Sequence, residues 1–166
     1  MEKNKNLKFF TTRVLGPEDK HLVSIMEIIE VRTQKNAWTL QSLCECFSDI
    51  YKIIGLFAGN NLIGFSVIYN TKFCTDLLSI GIDPDYQGRK LGSMLLKATL
   101  QEALNCEVKE CFLEVRRSNL VAQNLYKKFG FKITGVRREY YSSSGGEPAE
   151  DAFTMHLENI DLDIAL

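Results

Sequence analysis

The sequence lacks the features that would assign it to a membrane, export or DNA-binding class. No apolar run approaches the roughly 18 residues that a membrane-spanning helix requires, and the charged start MEKNKNLK is not followed by a signal-type apolar core. Twenty Lys and Arg residues against 21 Asp and Glu residues give a formal net charge of -1, without a basic block. We therefore expect no membrane span, no export and no duplex DNA as a partner.

Cysteine and histidine are scarce and follow no metal-binding pattern. The five cysteines form no CxxC pair and are Cys44, Cys46, Cys74, Cys106 and Cys111. Their odd number favours reduced, mostly buried thiols in a cytoplasmic protein. Zinc binding by Cys44 and Cys46 is disfavoured, because residues two apart diverge on a helix and no second pair follows. Neither His21 nor His156 lies near a metal or nucleophile pattern, so we expect no metal and no catalytic histidine.

What is present is a globular composition with 45% hydrophobic residues and only three prolines in 166 residues. That length suits one hydrophobic core, and the apolar fraction is high enough to bury one. Neither a repeat nor a linker interrupts the chain. We expect residues 1–166 to form a single domain.

Periodicity and turn residues predict alternating strands and helices. The first half is predicted to contain a strand over 7–15, a helix over 21–32, a short helix capped by Thr39, a hairpin turning at 59–61 and a strand over 76–82. The second half is predicted to contain a helix carrying 91–104, a strand over 109–115, a helix capped by Ser118 and ending at Lys128, and strands over 131–136 and 151–157. In the helix that ends at Lys128, the predicted packed stripe is Val121, Leu125 and Phe129. A Ser/Gly/Pro loop, SSSGGEP, separates the last two strands, and the acidic end DLDIAL is expected to be a peripheral tail.

The stretch SIGIDPDYQGRKLGSMLLKA, residues 79–98, joins a strand to a helix through two glycines. A helix N-terminus offers unpaired N–H groups and about half a positive charge, which together favour a phosphate group. Gly88 and Gly92 would let such a ligand approach, although glycines at this junction can equally just relieve crowding. A Walker loop is excluded because Leu91 follows Lys90 where Ser or Thr is required. The Rossmann glycine spacing is absent.

Residues 83–92, DPDYQGRKLG, resemble the pyrophosphate loop Q/R-x-x-G-x-G/A of the GCN5-related N-acetyltransferases, or GNAT enzymes. Gln87 and Gly92 match, whereas Lys90 replaces the middle glycine. A non-glycine residue at positive φ costs about 1 kcal/mol, so we expect Lys90 to be helical or the loop to differ slightly. The resemblance implies acetyl-CoA as cosubstrate, with loop contacts from Gln87, Gly88, Arg89, Lys90, Leu91, Gly92 and Ser93.

A second stretch, LEVRRSNLVAQNLYKKFGF at 113–131, resembles the LEVR-x-SN-x-x-A-x-x-LY-x-x-x-GF pattern of protein N-terminal acetyltransferases. VRREYY at 136–141 and EDAFTM at 150–155 resemble the bacterial ribosomal-protein alanine N-acetyltransferases of the RimI type. The resemblance implies the GNAT fold, an α/β fold of the α+β type. Its mixed, mostly antiparallel sheet has a central strand splay, here between 77–82 and 111–115, and is flanked by helices.

The same resemblance assigns catalytic roles to two residues. Glu114 interrupts an apolar strand, where burial would make its carboxylate more basic, and it is the implied general base, acting through water. Tyr126 is the implied general acid for the departing thiolate, since a tyrosine keeps its proton at neutral pH. The residues alone leave other interpretations open, with Glu114 on an exposed strand face and Tyr126 as a packed aromatic residue.

Further contacts follow from the resemblance. Ile80, Gly81 and Ile82 would pair with the pantetheine chain, and Gly81 would permit close approach or mark a bulge. Asn119 would contact the cofactor together with Tyr126. The acceptor would meet Trp38, Tyr140 and Tyr141, although Ala37 stands where the RimI type often has Pro before Trp.

The chemistry of amines favours an α-amine acceptor without requiring it. An α-amino group has a reference pKa of about 7.7 to 8.0 against about 10.4 for lysine, so more of it is free base at neutral pH. We expect direct transfer to the N-terminal alanine of a small-subunit ribosomal protein, with Glu147, Glu150 and Asp151 favouring a basic peptide. Open alternatives are a lysine, polyamine or metabolite acetyltransferase, a noncatalytic acyl-CoA-binding module and a ribosome-associated scaffold.

Overall fold

The structure is a computed structural model that describes residues 9–143 and 148–163. Predictions that concern residues 7–8, Glu147 within the loop at 144–147, and the tail residues 164–166 lie outside the described residues. The strands are β1 Phe10–Leu15, β2 Tyr51–Ala58, β3 Asn61–Asn70, β4 Thr75–Ile82, β5 Cys111–Arg116, β6 Lys132–Tyr141 and β7 Glu150–Leu157. The helices are α1 Val23–Thr33, α2 Leu40–Glu45, α3 Leu91–Asn105 and α4 Leu120–Lys128, with short 3-10 helices at Pro17–Leu22 and Pro84–Tyr86.

The strands form one seven-stranded sheet in the order β1-β2-β3-β4-β5-β7-β6. Every neighbouring pair is antiparallel except β4 and β5, which run parallel. These two strands pair only at Thr75 with Cys111, Asp76 with Phe112 and Leu77 with Leu113, and then separate. The prediction of a mixed, mostly antiparallel sheet with a central splay is confirmed.

The helices cover the two faces of the sheet, as the apolar residues on each strand require. Met26 and Ile29 of α1 and Leu43 of α2 pack in one core cluster with β2 and β3, while α3 and α4 pack in a second cluster on the opposite face. None of the described helices is long and apolar enough to cross a bilayer.

The start of α4 differs from its sequence prediction. Asn119, not Ser118, is the N-cap, because its side-chain oxygen accepts the Ala122 N–H at 3.1 Å. The Ser118 N–H donates instead to Glu150 at 2.7 Å, which holds that residue outside the helix. The predicted packed stripe is also wrong in part: Phe129 is buried, but Val121 is 83% exposed.

A buried pair of hydroxyl groups anchors α3 to the sheet. The Ser66 and Thr99 oxygens lie 2.6 Å apart, and the Thr99 hydroxyl also donates to the Leu95 carbonyl at 2.7 Å. Ser66 must therefore be the donor of the pair. Both side chains are almost completely buried, so this bond fixes the helix whose first turn follows the glycine loop.

Replacing Thr99 with valine tests how much the Ser66–Thr99 hydrogen bond contributes to the free energy of unfolding. Thr99→Val keeps the side-chain shape but leaves the buried Ser66 hydroxyl without a partner, which should lower the free energy of unfolding by about 1 to 3 kcal/mol. Denaturant unfolding measures it. The double variant with Ser66→Ala should recover part of the loss, since no unpaired hydroxyl remains; a single variant as stable as the wild type would contradict this assignment.

Candidate active site

A cavity of about 630 Å³ lies where β4 and β5 separate. Its walls come from both strands, the end of α1, the connection from α1 to α2, the loop before α3, and α4. Among the residues predicted for the site, the cavity is lined by Trp38, Ile80, Gly81, Ile82, Gln87, Gly88, Lys90, Leu91, Gly92, Ser93, Glu114, Asn119, Tyr126 and Tyr141. Arg89 and Tyr140 do not line it, and the role of each lining residue remains a prediction.

The loop before α3 is shaped by two residues in the left-handed region. Gly88 has φ +76° and Lys90 has φ +62° and ψ +11°. The first backbone bonds after this turn are donated by Ser93 and Met94 to the Lys90 carbonyl, at 3.1 and 3.2 Å. The preceding amides have no partner within the helix, so the turn is a nest of donors suited to an anion.

The expectation that Lys90 is helical is wrong, because Lys90 takes the left-handed conformation that favours glycine. The alternative, a loop that differs slightly from the loops of the family, stays a prediction. The neighbouring Arg89 does not line the cavity, and its guanidinium lies 5.6 Å from the centre of the Tyr86 ring; its cofactor contact stays a prediction.

The edge of β4 that faces the cavity is held by side-chain amides. Gln34 donates to the Ile80 carbonyl at 3.2 Å and Gln87 donates to the Ile82 carbonyl at 2.9 Å. Both glutamines line the cavity. The carbonyls of Ile80 and Ile82 therefore lie on the cavity side of β4, where the predicted pantetheine contacts would form.

Gly81 has a packing role that the sequence did not indicate. A β-carbon at this position would lie 2.9 Å from the Thr33 hydroxyl and 3.4 Å from a methyl group of Ile29. The glycine therefore lets α1 approach β4, and the register irregularity of this strand falls elsewhere, opposite Val67 and Ile68. The bulge interpretation of Gly81 is wrong, while its cofactor contact stays a prediction.

Glu114 is ion-paired and is not enclosed in an apolar pocket. Its side chain is 27% exposed and accepts a hydrogen bond from Arg137. The interaction with the Glu114 carboxylate raises the pKa of Tyr140. The expected burial of Glu114 is therefore not found, and Tyr140 interacts with Glu114 although it does not line the cavity.

Tyr126 enters the cavity from α4 with its ring 5% exposed. The ring packs against Phe131, with centroids 5.8 Å apart. Burial raises the pKa of Tyr126, and the neighbouring Tyr141 adds to the rise. The hydroxyl therefore stays protonated throughout the neutral range.

Arg116 joins three segments on the acceptor side of the predicted site. It donates to Glu150 at 2.9 Å and to Asn36, and its guanidinium lies 4.0 Å from the centre of the Tyr141 ring. Hydrogen bonds from Ser118 and the contact with Arg116 lower the pKa of Glu150. The Glu150 carboxylate is thus bonded within the protein, which weakens the expectation that Glu150 attracts a basic peptide.

Asp151 is paired in the same way as Glu150. It lies 3.6 Å from Arg117 and accepts the Glu139 N–H at 2.9 Å. Because the Asp151 carboxylate is already paired, it also gives little support to the expectation that acidic residues attract a basic peptide.

Sequence reasoning missed the side chain most deeply buried on the α1 wall. Glu30 is only 1% exposed, lines the cavity, and accepts a hydrogen bond from Ser79 at 3.0 Å and from the Trp38 N–H at 3.4 Å. Burial raises the pKa of Glu30, and the two hydrogen bonds oppose that rise. The one available signal was a glutamate on the apolar side of the run MEIIE.

Metal chemistry has no candidate ligand set in the part of the chain that the structure describes, where no group of three or more His, Cys, Asp or Glu residues could hold an ion. His156 stacks on Phe112 with ring centroids 4.1 Å apart and contacts Glu110 at 3.0 Å. His156 therefore has structural contacts, and its lack of a catalytic role stays a prediction.

A sheet split between parallel strands, beside a nest of backbone donors, defines the class of acyl-CoA-dependent transferases. The family model of the Acetyltransferase (GNAT) family matches residues 22–131. The chain is 33% identical over 129 residues to the [ribosomal protein bS18]-alanine N-acetyltransferase of Salmonella typhimurium, covering 78% of this chain and 86% of the relative.

Solved structures agree with this result. The structure resembles the ribosomal-protein-S18-alanine N-acetyltransferase from Escherichia coli with a TM-score of 0.80 and 27% identity, covering 95% of this chain and 99% of the other. A GNAT family acetyltransferase from Elizabethkingia anophelis with acetyl-CoA bound shares the fold, with a TM-score of 0.70, 19% identity, and coverage of 90% and 98%. The chain belongs to the GNAT acetyltransferase family and is an acetyl-CoA-dependent N-acetyltransferase.

The left-handed conformation of Lys90 predicts that glycine substitutions at Lys90 and Lys97 change the free energy of unfolding in opposite directions. Lys90→Gly removes left-handed strain and should raise the free energy of unfolding by up to about 1 kcal/mol. Lys97→Gly, within α3, should lower it by about 1 kcal/mol because glycine is a poor helix former. Thermal or denaturant unfolding of the two variants measures the difference, and a loss of stability in both would contradict the left-handed assignment.

The same pair of variants tests the predicted cofactor contact. Acetyl-CoA should bind Lys90→Gly more weakly, because a positive charge next to the donor nest is lost, while Lys97→Gly should bind with wild-type affinity. Isothermal titration gives both dissociation constants. Unchanged affinity in Lys90→Gly would remove Lys90 from the cofactor site.

Proposed function

We propose that this enzyme transfers the acetyl group of acetyl-CoA to the N-terminal α-amine of a protein, and that the acceptor begins with alanine and belongs to the small ribosomal subunit. The observation that carries the proposal is the meeting of Glu114 and Tyr126 in one cavity, from β5 and α4 respectively. A base and an acid on different walls suit a reaction in which a proton leaves the amine and another reaches the sulfur.

The proposed reaction is direct attack within a ternary complex. The amine nitrogen forms a bond with the thioester carbonyl carbon, and Glu114 accepts the proton of the amine through water. The carbon–sulfur bond then breaks, and Tyr126 donates its proton to the departing thiolate. Burial raises the pKa of Tyr126 and so makes it a weaker acid. An apolar cavity also raises the pKa of the thiol that forms, so the pKa difference between the two groups becomes smaller.

In this proposal the cavity also aligns acetyl-CoA and the acceptor for attack. The donor nest at 88–92 would hold the pyrophosphate, and the edge of β4 at Ile80 and Ile82 would align the pantetheine chain. The acceptor would then enter between Trp38 and Tyr141, which both line the cavity. Holding two reactants in attack geometry is a large part of the rate enhancement of a transferase.

The acceptor is inferred from amine chemistry and from the relatives. The Salmonella and Escherichia proteins that carry the alanine N-acetyltransferase name match most of this chain, and an α-amine is a better nucleophile than lysine at neutral pH. A nascent or newly made ribosomal protein is available in the cytoplasm, which is the compartment we propose for the enzyme.

Mass spectrometry distinguishes this acceptor from the alternatives. The enzyme is incubated with acetyl-CoA and three matched peptides, which offer a free N-terminal alanine, a blocked N-terminus with one lysine, or neither. A gain of one acetyl group, about 42 Da, confined to the alanine peptide is expected, because only its amine is substantially deprotonated at neutral pH. Acetylation of lysine alone would contradict the proposal, and binding without transfer to any peptide would favour an acyl-CoA-binding module.

The roles of the acid and the base are tested by conservative substitutions. Tyr126→Phe and Glu114→Gln should each lower kcat by roughly 100-fold, in keeping with the loss of one acid–base group, and Glu114→Gln should leave acetyl-CoA affinity near the wild-type value. Steady-state kinetics with the alanine peptide measures this. Tyr69→Phe, a tyrosine paired with Tyr51 outside the cavity, is the matched control, and equal losses in it and Tyr126→Phe would contradict a role in catalysis.

A further inference from the structure

Glu30 differs from Glu114, the other acidic residue that lines the cavity. Glu114 faces a guanidinium, whereas the hydrogen bonds described for Glu30 come from two neutral donors, the Ser79 hydroxyl and the Trp38 amide. A carboxylate that is 1% exposed is costly to bury. Because its burial costs stability, the presence of the Glu30 carboxylate in the cavity wall suggests a role in function.

The two oxygens of Glu30 bond to different segments. One accepts from Ser79, 49 residues away on β4, at 3.0 Å, and the other accepts the backbone N–H of Trp38 at 3.4 Å. Residues 34–39 form the α1–α2 connection, and Gln34, Asn36 and Trp38 of this connection line the cavity. The carboxylate thus joins this connection to the strand that borders the cavity.

Two other contacts hold the same connection. Gln34 donates to the Ile80 carbonyl at 3.2 Å, and Arg116 of β5 donates to Asn36. The connection is therefore tied to β4 at one end and to β5 in its middle. Only the Trp38 end depends on a buried carboxylate.

We propose that Glu30 is a positioning residue for the acceptor, whose carboxylate holds the Trp38 amide and the Ser79 hydroxyl together and so fixes Trp38 in the wall of the acceptor site. The inference rests on the proposed function, which places the acceptor against Trp38. Glu30 acts through Trp38 and takes no part in the transfer of protons or of the acetyl group.

Two substitutions at Glu30 separate positioning from charge. Glu30→Met keeps an unbranched side chain of similar length but accepts neither hydrogen bond, so KM for the acceptor peptide should rise about tenfold, while kcat and acetyl-CoA affinity stay within about twofold. Glu30→Gln keeps an oxygen for the Trp38 N–H and an amide that can donate to the Ser79 hydroxyl. It should restore most of the wild-type KM.

Glu27→Met is the matched control on the same helix. Glu27 accepts the Leu40 N–H at 3.1 Å and does not line the cavity, so its loss should leave KM unchanged. A Glu30→Gln variant as impaired as Glu30→Met would show that the charge matters, and would overturn the positioning role. A lower melting temperature in Glu30→Met with an unchanged KM would overturn it as well.

The single tryptophan of the chain supplies a readout that does not need turnover. Trp38 fluorescence should be quenched more efficiently by acrylamide in Glu30→Met than in the wild type, and Glu30→Gln should match the wild type. If the wild-type enzyme acetylates only a lysine peptide, the proposed function fails and KM is measured with that peptide. If no peptide is acetylated, unchanged quenching in Glu30→Met overturns the inference and increased quenching supports it.

Discussion

Strands β4 and β5 pair through Leu77 and Leu113 and then separate, and the rest of the site depends on that separation. Each strand keeps its other neighbour, since β3 pairs with β4 and β7 pairs with β5 along their lengths. The sheet therefore stays intact while one internal edge loses its partner. An unpaired strand edge inside a protein can form backbone hydrogen bonds with a ligand, and our proposal places the extended, amide-containing arm of the cofactor there.

Long-range contacts keep the gap open and shaped in the structure. Gln34 and Gln87 donate to the carbonyls of Ile80 and Ile82, so these two groups of the edge are already hydrogen-bonded to side chains of the protein. Arg116 joins β5 to the α1–α2 connection and to β7 on the other side. A wall held by such contacts loses little conformational freedom when substrates bind, which is the physical meaning of a preorganised site.

Local patterns predicted much of the fold, and long-range contacts account for most of what they missed. The hairpin at 59–61 and the α2 cap at Thr39 follow from turn and capping residues a few positions apart. Burial of Glu30 depends on Ser79, 49 residues away, and the role of Arg116 depends on Asn36, 80 residues away. The α4 cap was misplaced by one residue because Ser118 and Asn119 are both good capping residues, and only Glu150, distant in sequence, engages Ser118. The left-handed Lys90 opposed its own local preference.

The central claim is that cofactor and acceptor meet at the split between β4 and β5 from different walls of one cavity. A crystal structure with a bisubstrate analogue, in which CoA is joined through an acetyl bridge to the α-amine of an alanine peptide, tests it most directly. The account predicts the pyrophosphate on the amides of residues 88–92, the bridge between Glu114 and Tyr126, and the peptide between Trp38 and Tyr141. A bridge outside the split, or a peptide that leaves the cavity along α4, would contradict it.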